Sequence, residues 1–228
     1  EEPLGRDAWP WYLEAAFFWK TADGIALRYR HHQTTVGDPL VQLDEENIIE
    51  LARREVAKTL GLQCPARFFM AGGAFKTLLH GRAPSDLDFW AASLEDRKLI
   101  VEALTARGAR VLSRQAFSDQ FEIGDRIVDL PDKTEPSTLE ERLDRFDIVL
   151  SAVGVEHSGG DRWRAAIHPL ARQSVAARQI LLLKPLINWR HALTTLARAR
   201  RYARELEFAL PKEEEQEVWR VFDAHDAA

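Results

Sequence analysis

Asp86 and Asp88 stand one residue apart at the head of an apolar run, "DLDFWAA", thirteen residues after Gly73. On a strand, residues i and i+2 point to the same side, so the two carboxylates aim together while Leu87 turns the opposite way into a core. Two like charges held that close repel, and burial raises their pKa values. A divalent cation between them relieves both penalties. An oxygen-only donor set, with no His or Cys nearby, favours Mg²⁺ or Mn²⁺ over zinc. Upstream, Gly72 and Gly73 close a strand-to-helix turn in "FFMAGGAFKTLL". Without side chains there, a phosphate can approach the backbone, and the free N–H groups of a helix start favour an anion. Lys76 and Ser85 are placed to add contacts to the same phosphates. Either piece alone is weak, since a glycine pair is an ordinary turn and Asp-x-Asp an ordinary strand end. A strand, a glycine turn, a short helix, a loop and then the acid pair is the parts list for metal-assisted phosphoryl or nucleotidyl transfer. Such chemistry wants a third carboxylate on a neighbouring strand. Asp129, at the end of the apolar strand in "DRIVDL", is the candidate, with Glu122 on the partner strand as runner-up; Asp119, Asp125 and Asp132 read as turn residues.

The elements that must hold these groups follow from periodicity and turn chemistry. Residues 13–32 read as a β-hairpin turning at Asp23-Gly24, and Trp9, Trp11 and Trp19 cluster there. Packing against the main domain competes with a base-stacking platform as the use of those rings. Residues 44–61 carry a helical apolar face between Asp44 and Gly61. Short strands follow at "ARFFMA", "DLDFWAA" and "ARVLS", with a capped helix from Ser93 to Gly108 between the last two. "SDQFEIGDRIVDL" is a hairpin turning at Gly124-Asp125; Ser137 and Glu140 cap a short helix; "RFDIVLSAVGVE" is one more strand. "GVEHSGGDRWRAAIHP" is a loop with room for a strand. Beyond Pro169 the period is helical, over about 170–183 and 187–208, with Lys184-Pro185 interrupting.

Bulk properties narrow the class. The chain has 228 residues, enough for one sizeable domain and a smaller one, and its 46% hydrophobic and 29% charged residues are ordinary for a soluble globular protein. No apolar run approaches the roughly 18–20 residues of a membrane helix, and no signal-peptide pattern is seen, so a cytoplasmic protein without membrane contact is expected. The first residue is Glu rather than Met, so a processed or trimmed chain is expected. The lone cysteine, Cys64, allows no internal disulfide and reads as a buried structural thiol in a reducing compartment. Net charge is −5, which speaks against a generic nucleic-acid binder. The charge is segregated, however. From Arg162 to Arg204 there are nine Arg and one Lys and no acid, and "KEEEQE" follows at 212–217. That pattern predicts a local anion site on the helical segment, with Arg198 and Arg201 sharing a face. His31, His32, His157 and His168 have no partner at ligand or catalytic spacing.

"GGAFKTLLHGRAPSDLDF" resembles the head signature of the polymerase-β-like nucleotidyltransferases, in particular the bacterial tRNA nucleotidyltransferase (CCA-adding) and poly(A) polymerase group. That signature runs Gly-Gly-x-x-Arg-Asp-x-Leu-Leu-Gly-Arg-x-x-x-Asp-x-Asp. Gly72, Gly73, Leu79, Gly81, Arg82, Asp86 and Asp88 match; Lys76 stands for Arg and Thr77 for Asp. "RFDIVLSAV" is similar to the family block Arg-Arg-Asp-Phe-Thr-Ile-Asn-Ala, which helps hold the incoming nucleotide and its ribose; Arg145 and Asp147 match, Phe146 replaces the second Arg and Ser151 replaces Asn. "ARARRYARELEF" is similar to Leu-Arg-Ala-Ile-Arg-Phe-Ala-Ala-Arg-Leu-Gly-Phe, with Arg198, Ala199, Arg201, Tyr202, Ala203, Leu206 and Phe208 in line. The resemblance covers about residues 66–208. The Glu-Asp-x-x-Arg base-reading motif is not found.

The expectation is therefore an α+β fold: a nucleotidyltransferase head with a mixed sheet flanked by helices over 41–168, an N-terminal hairpin extension over 1–40, and an α-helical neck-like segment with an acidic tail over 169–228. What the resemblance implies is a Mg²⁺- or Mn²⁺-dependent enzyme that moves NMP from an NTP to an acceptor hydroxyl, the 3′ end of an RNA such as tRNA. Asp86, Asp88 and Asp129 are its expected metal ligands. Gly72, Gly73, Lys76, Ser85, Arg145, Asp147, Arg198 and Arg201 are its expected nucleotide contacts. Alternatives are transfer to a protein or small molecule, as in toxin or defence modules, and a non-catalytic nucleotide- or RNA-binding module on the same fold.

Overall fold

The computed structural model describes residues 42–114, 117–132, 138–183 and 186–226. The expected N-terminal hairpin and Lys184-Pro185 lie outside these residues.

Helix α1 (Glu45–Thr59) begins at Asp44, whose carboxylate accepts from the Asn47 N–H at 2.8 Å, and its first turn carries Glu45 and Glu46 against the helix dipole. Strand β1 (Phe68–Ala71) runs into a 3₁₀ helix (Gly73–Leu79), then β2 (Asp86–Ala91). Ser93 caps α2 (Leu94–Ala106), accepting from the Asp96 N–H at 3.0 Å and donating to its carboxylate at 2.6 Å. Strands β3 (Arg110–Arg114), β4 (Ser118–Ile123) and β5 (Arg126–Pro131) follow, then α3 (Leu139–Leu143), β6 (Val153–His157) and β7 (Trp163–Ile167). The chain continues as α4 (Pro169–Ala177), α5 (Trp189–Leu206) and α6 (Lys212–Asp226).

The seven described strands form one sheet in the order β3-β4-β5-β2-β1-β6-β7. Among them only β2 and β5 run parallel; every other neighbouring pair is antiparallel, so the sheet is mixed. Alternation divides it into two faces. Phe68, Met70, Leu87, Phe89, Val128 and Leu130 pack with α1 and α2 in the main core. On the opposite face, Phe69 and Ala71 meet Leu139 and Leu143 of α3, with Trp90 and Phe146 beside them. None of the described helices is long and apolar enough to cross a membrane.

Three boundaries differ from the sequence reading. The helix expected to run to 183 ends at Ala177, where Arg178 takes a left-handed conformation, φ 50°. Residues 179–183 are extended because their backbone groups are claimed by tertiary partners: the Ile180 N–H by the Ala209 carbonyl at 2.8 Å, the Leu181 carbonyl by Val149 at 3.0 Å and the Leu183 N–H by the Asp147 carbonyl at 2.7 Å. Of the run 145–156, expected as one strand, only 153–156 are strand, in β6; a turn and a short 3₁₀ segment (Val149–Ser151) come first. The acidic stretch after 211 is the first turn of helix α6 rather than a tail. Its Val218 is fully buried, and Glu215 pairs with Arg200 of α5 at 2.9 Å.

Candidate active site

The carboxylates lie on the α3 side of the sheet. Asp86 is exposed and Asp88 half-buried, both on the face opposite Leu87 and Phe89. The parallel pairing of β2 with β5 sets Asp88 directly against Asp129 and Asp86 against Ile127. Asp129 is thus brought to the acid pair. Its carboxylate accepts from the Ser118 hydroxyl and from the Gln120 amide, the latter at 2.9 Å, both from β4. Those two donors alternate on β4 opposite Asp129, a pattern readable only once the hairpin register is known. Glu122 lies two registers further along, opposite Ile127, and is tied to Arg110 at 2.6 Å. Of the two acids expected as candidates, the backbone brings Asp129, and not Glu122, beside the pair. Asp119 belongs to β4 and pairs with Arg97 at 2.8 Å, so it is a strand residue and not a turn residue.

Asp88 shows how much negative charge is gathered here. Burial pushes its carboxyl up to about 7; the Asp129 and Asp86 charges push the same way, and Arg198 partly opposes them. Among the described residues, none of the three acids makes an ion pair; Asp86 has only the Ser85 hydroxyl, at 3.2 Å.

The glycine turn is part of the same site. Gly72 has φ 104°, and a Cβ on it would sit 2.8 Å from Asp88 Oδ2 and 3.5 Å from the Phe146 ring. A side chain there would strike the acid, so glycine is required by both conformation and space. A Cβ on Gly73 would collide with the Tyr202 hydroxyl, which shares a hydrogen bond of 3.1 Å with Ser151. The sequence alignment of Tyr202 carries no role for it; in the structure its buried ring closes the floor of the turn.

Helix α5 supplies the remaining groups from one stripe, Thr195, Arg198, Tyr202 and Glu205, spaced by three or four residues. Arg198 Nη2 and the Thr195 hydroxyl both donate to Asp147. The Asp147 carboxylate is 4% exposed, so it is a buried acceptor and does not lie open to a ribose as the family resemblance implied. Lys76 also departs from expectation: its ammonium pairs with Glu205 at 2.7 Å and lies over the Tyr202 ring at 4.9 Å, bracing the glycine turn against α5. Thr77, where the family has Asp, is buried and returns its hydroxyl to the Ala74 carbonyl within the 3₁₀ helix. Ser85 and Arg145 are exposed, as is Arg201 on the outer side of α5. His157 is buried between the Ala66 and Gly160 carbonyls, and His168 caps α4, so both are structural. Burial pushes the Cys64 thiol up, as suits an inert core residue.

No protein-family model matches the sequence, and no curated protein matches it. Solved structures do match in three dimensions. One is a tRNA nucleotidyltransferase complexed with a primer tRNA and an incoming ATP analogue, TM-score 0.54 at 20% identity over 76% of this chain and 49% of that one. Another is the Thermotoga maritima CCA-adding enzyme complexed with tRNA, TM-score 0.55 at 17% identity over 83% and 45%. A third, a tRNA-processing enzyme in an apo form, gives 0.53 at 23% over 78% and 48%. The fold is that of the polymerase-β-like nucleotidyltransferases. The chain spans about half the length of these structures.

On a nucleotidyltransferase fold the acids can be tested for a divalent cation from their own chemistry. Among the described residues no three His, Cys, Asp or Glu side chains converge as a closed cage, because Asp129 is turned to Ser118 and Gln120. Asp86 and Asp88 nevertheless fit a hard cation: the donors are carboxylate oxygens on one strand face, and their charge is in excess. The basic segment needs correction. Its arginines are largely matched by acids from elsewhere in the chain, Arg164 by Glu140 and Glu156, Arg198 by Asp147 and Arg200 by Glu215. The anion surface is smaller than the charge count predicts.

Proposed function

We propose that this protein is a metal-dependent nucleotidyltransferase that moves NMP from an NTP to an acceptor hydroxyl, with the 3′ end of an RNA such as tRNA as acceptor. One observation carries the reading: Asp86 and Asp88 share a strand face, Asp129 lies in register beside Asp88, and Gly72 opens directly onto Asp88. In the reaction the acceptor oxygen bonds to the α-phosphorus and the bond from that phosphorus to the β-phosphate oxygen breaks, so pyrophosphate leaves. A Mg²⁺ or Mn²⁺ held by Asp86 and Asp88 would supply charge neutralisation and a lowered pKa for the attacking hydroxyl. Asp129, steadied by Ser118 and Gln120, completes the acid set. The side-chain-free turn at Gly72-Gly73 receives phosphate oxygens, and Ser85, Arg145, Arg198 and Arg201 are the contacts left for the triphosphate and its ribose. Two of the similar structures were solved with tRNA, which favours an RNA acceptor. A second reading keeps the transfer and changes the acceptor to a protein or small molecule. It is favoured by the internal pairing of Arg164, Arg198 and Arg200.

The test is to incubate each labelled NTP and Mg²⁺ with tRNA lacking its 3′ end, with total RNA and with a protein lysate. Label is expected on RNA and is expected to vanish with Asp86→Ala and with Asp88→Ala. Transfer that survives both substitutions, or label on none of the acceptors, defeats the proposal; label on protein alone selects the second reading.

A further inference from the structure

Asp147 has the residue type of a ligand contact and the surroundings of a structural group. Its carboxylate is almost wholly buried, and its donors come from one helix: Thr195 and Arg198 by hydrogen bonds, with His191 Nε2 at 3.6 Å. These residues lie at spacings of four and three along α5 and so form the stripe that faces the head. The Asp147 carbonyl is also used, accepting from Leu183 at 2.7 Å, which fixes the carboxylate from its own backbone. A long guanidinium has much rotamer freedom to lose, and a buried acceptor removes that freedom before any ligand arrives.

Arg198 differs from Asp147 and Thr195 in being partly open, as His191 also is. The Arg198 side chain is 29% exposed, and its Nε is buried without a hydrogen-bond partner. Arg198 lies one turn before Tyr202 on the same stripe of α5, and the Tyr202 hydroxyl stands against Gly73 while Gly72 lies against Asp88, so this part of the helix faces the glycine turn and the acid edge. A guanidinium has five donors, and Asp147 takes one Nη. With Nε buried, the remaining Nη hydrogens are the donors left for an anionic group brought to the glycine turn.

We propose that Asp147 and Thr195 are positioning residues that hold Arg198 at the acid edge, where Arg198 binds the phosphates of an incoming nucleoside triphosphate. The nucleotide touches Arg198 and touches neither Asp147 nor Thr195. This rests on the nucleotidyltransferase reading for the identity of the ligand, and it replaces a direct ribose contact for Asp147 with an indirect role.

The experiment is a double-mutant cycle read by binding and not by turnover. Affinity for a non-hydrolysable ATP or CTP analogue with Mg²⁺ is measured by titration calorimetry on the full chain, for wild type, Asp147→Asn, Arg198→Ala and the double variant, each with a thermal melt. Asp147→Asn is expected to weaken analogue binding about tenfold, as for loss of a hydrogen bond to a charged group. Adding it to Arg198→Ala is expected to weaken binding no further than Arg198→Ala alone. Thr195→Val is expected to weaken binding and Thr195→Ser to restore it. Additive losses in the cycle would mean that Asp147 meets the nucleotide itself and would overturn the proposal. So would a lowered melting temperature with unchanged affinity, the signature of a purely structural pair. Wild type that binds the analogue without transferring NMP to any acceptor removes the transfer reading alone and leaves the cycle legible. Wild type that binds neither analogue overturns both.

Discussion

Strand β2 presents two faces built from alternate residues. Leu87, Phe89 and Ala91 are at most 1% exposed and meet the main core, whereas Asp86, Asp88 and Trp90 face the open side. The instructive difference lies in how each face treats charge. On the core face of β5, Arg126 is buried with Val128 and Leu130, and its guanidinium is met by Glu55 of α1 at 2.7 Å and by Asp125 at 2.7 Å. That charge is matched. On the other face three carboxylates gather, none of them in an ion pair among the described residues, and burial with the Asp129 and Asp86 charges pushes Asp88 up to about 7. A fold that matches one buried charge and leaves another cluster in excess has given up stability there, as the proposed role of Asp86 and Asp88 in holding a cation would require.

The largest effect that sharpens this contrast is functional. Asp88→Asn is expected to lower NMP transfer by about a thousandfold or more, since it removes both a metal ligand and a charge at the reacting phosphate. The same change is expected to raise the melting temperature in EDTA. A carboxyl whose folded pKa is raised costs stability progressively as pH rises from its ordinary value of 3.8, and the penalty is complete above about 7. The gain from Asn is therefore larger at pH 8 than at pH 6. Thermal melts at the two pH values read it directly, and a variant less stable than wild type at pH 8 contradicts the excess-charge account.

One residue along, the opposite outcome is expected. Phe89 is fully buried and stacks edge-on against Phe68 at 5.2 Å between centroids. Phe89→Ala should cost about 4 kcal/mol of folding stability in a urea titration, from lost transfer energy and the cavity left behind. Neighbouring positions would then divide into one that carries activity and one that carries stability.

Much of this was legible in the sequence because it depends on short-range rules. A period of two puts Asp86 and Asp88 together and Leu87 behind them, and the spacing from Gly73 prompts the proposed chemistry. The strands and the hairpin at Gly124-Asp125 follow from local signals too, whereas the mixed sheet was implied by the family resemblance. The choice between Asp129 and Glu122 needed the register of β5 on β2, a long-range pairing that no local pattern encodes. The helix boundaries near 178 and 211 escape a sequence reading because tertiary hydrogen bonds, not propensity, decide them. The arginine-rich segment misleads for a related reason: its acids, Asp147, Glu140, Glu156 and Glu215, lie on other elements, so the charge balance exists only in three dimensions.

The matched charge on the core face gives a smaller, pH-dependent prediction. Burial works to raise the Glu55 carboxyl, but hydrogen bonds from Arg126 and Lys58 outweigh it and hold the group below its ordinary value. A depressed acid contributes stability that is present above its unfolded pKa and is lost as pH falls through the folded one. Glu55→Gln should cost about 3 kcal/mol at pH 7, because Arg126 is left buried with only the exposed Asp125. The difference from wild type should shrink as pH drops below 4.5, the ordinary Glu value. Urea midpoints across pH 3 to 7 would show the two curves converging; parallel curves would mean that packing, and not the ion pair, is what Glu55 supplies.

The smallest effect tests how closely the acid face is joined to helix α5. Gly73→Ala places a methyl group against the Tyr202 hydroxyl, and relieving that overlap should cost about 2 kcal/mol in stability. Tyr202→Phe removes the hydroxyl and leaves Ser151 short of a partner, at about 1 kcal/mol. Combined, the two changes should cost less than their sum, because the Phe ring lacks the atom that the new methyl strikes. Additive losses would mean that the helix shifts as a body to accommodate the added methyl group. The turn and the helix would then be loosely joined, and the stripe that carries Arg198 would no longer be fixed against the glycine turn.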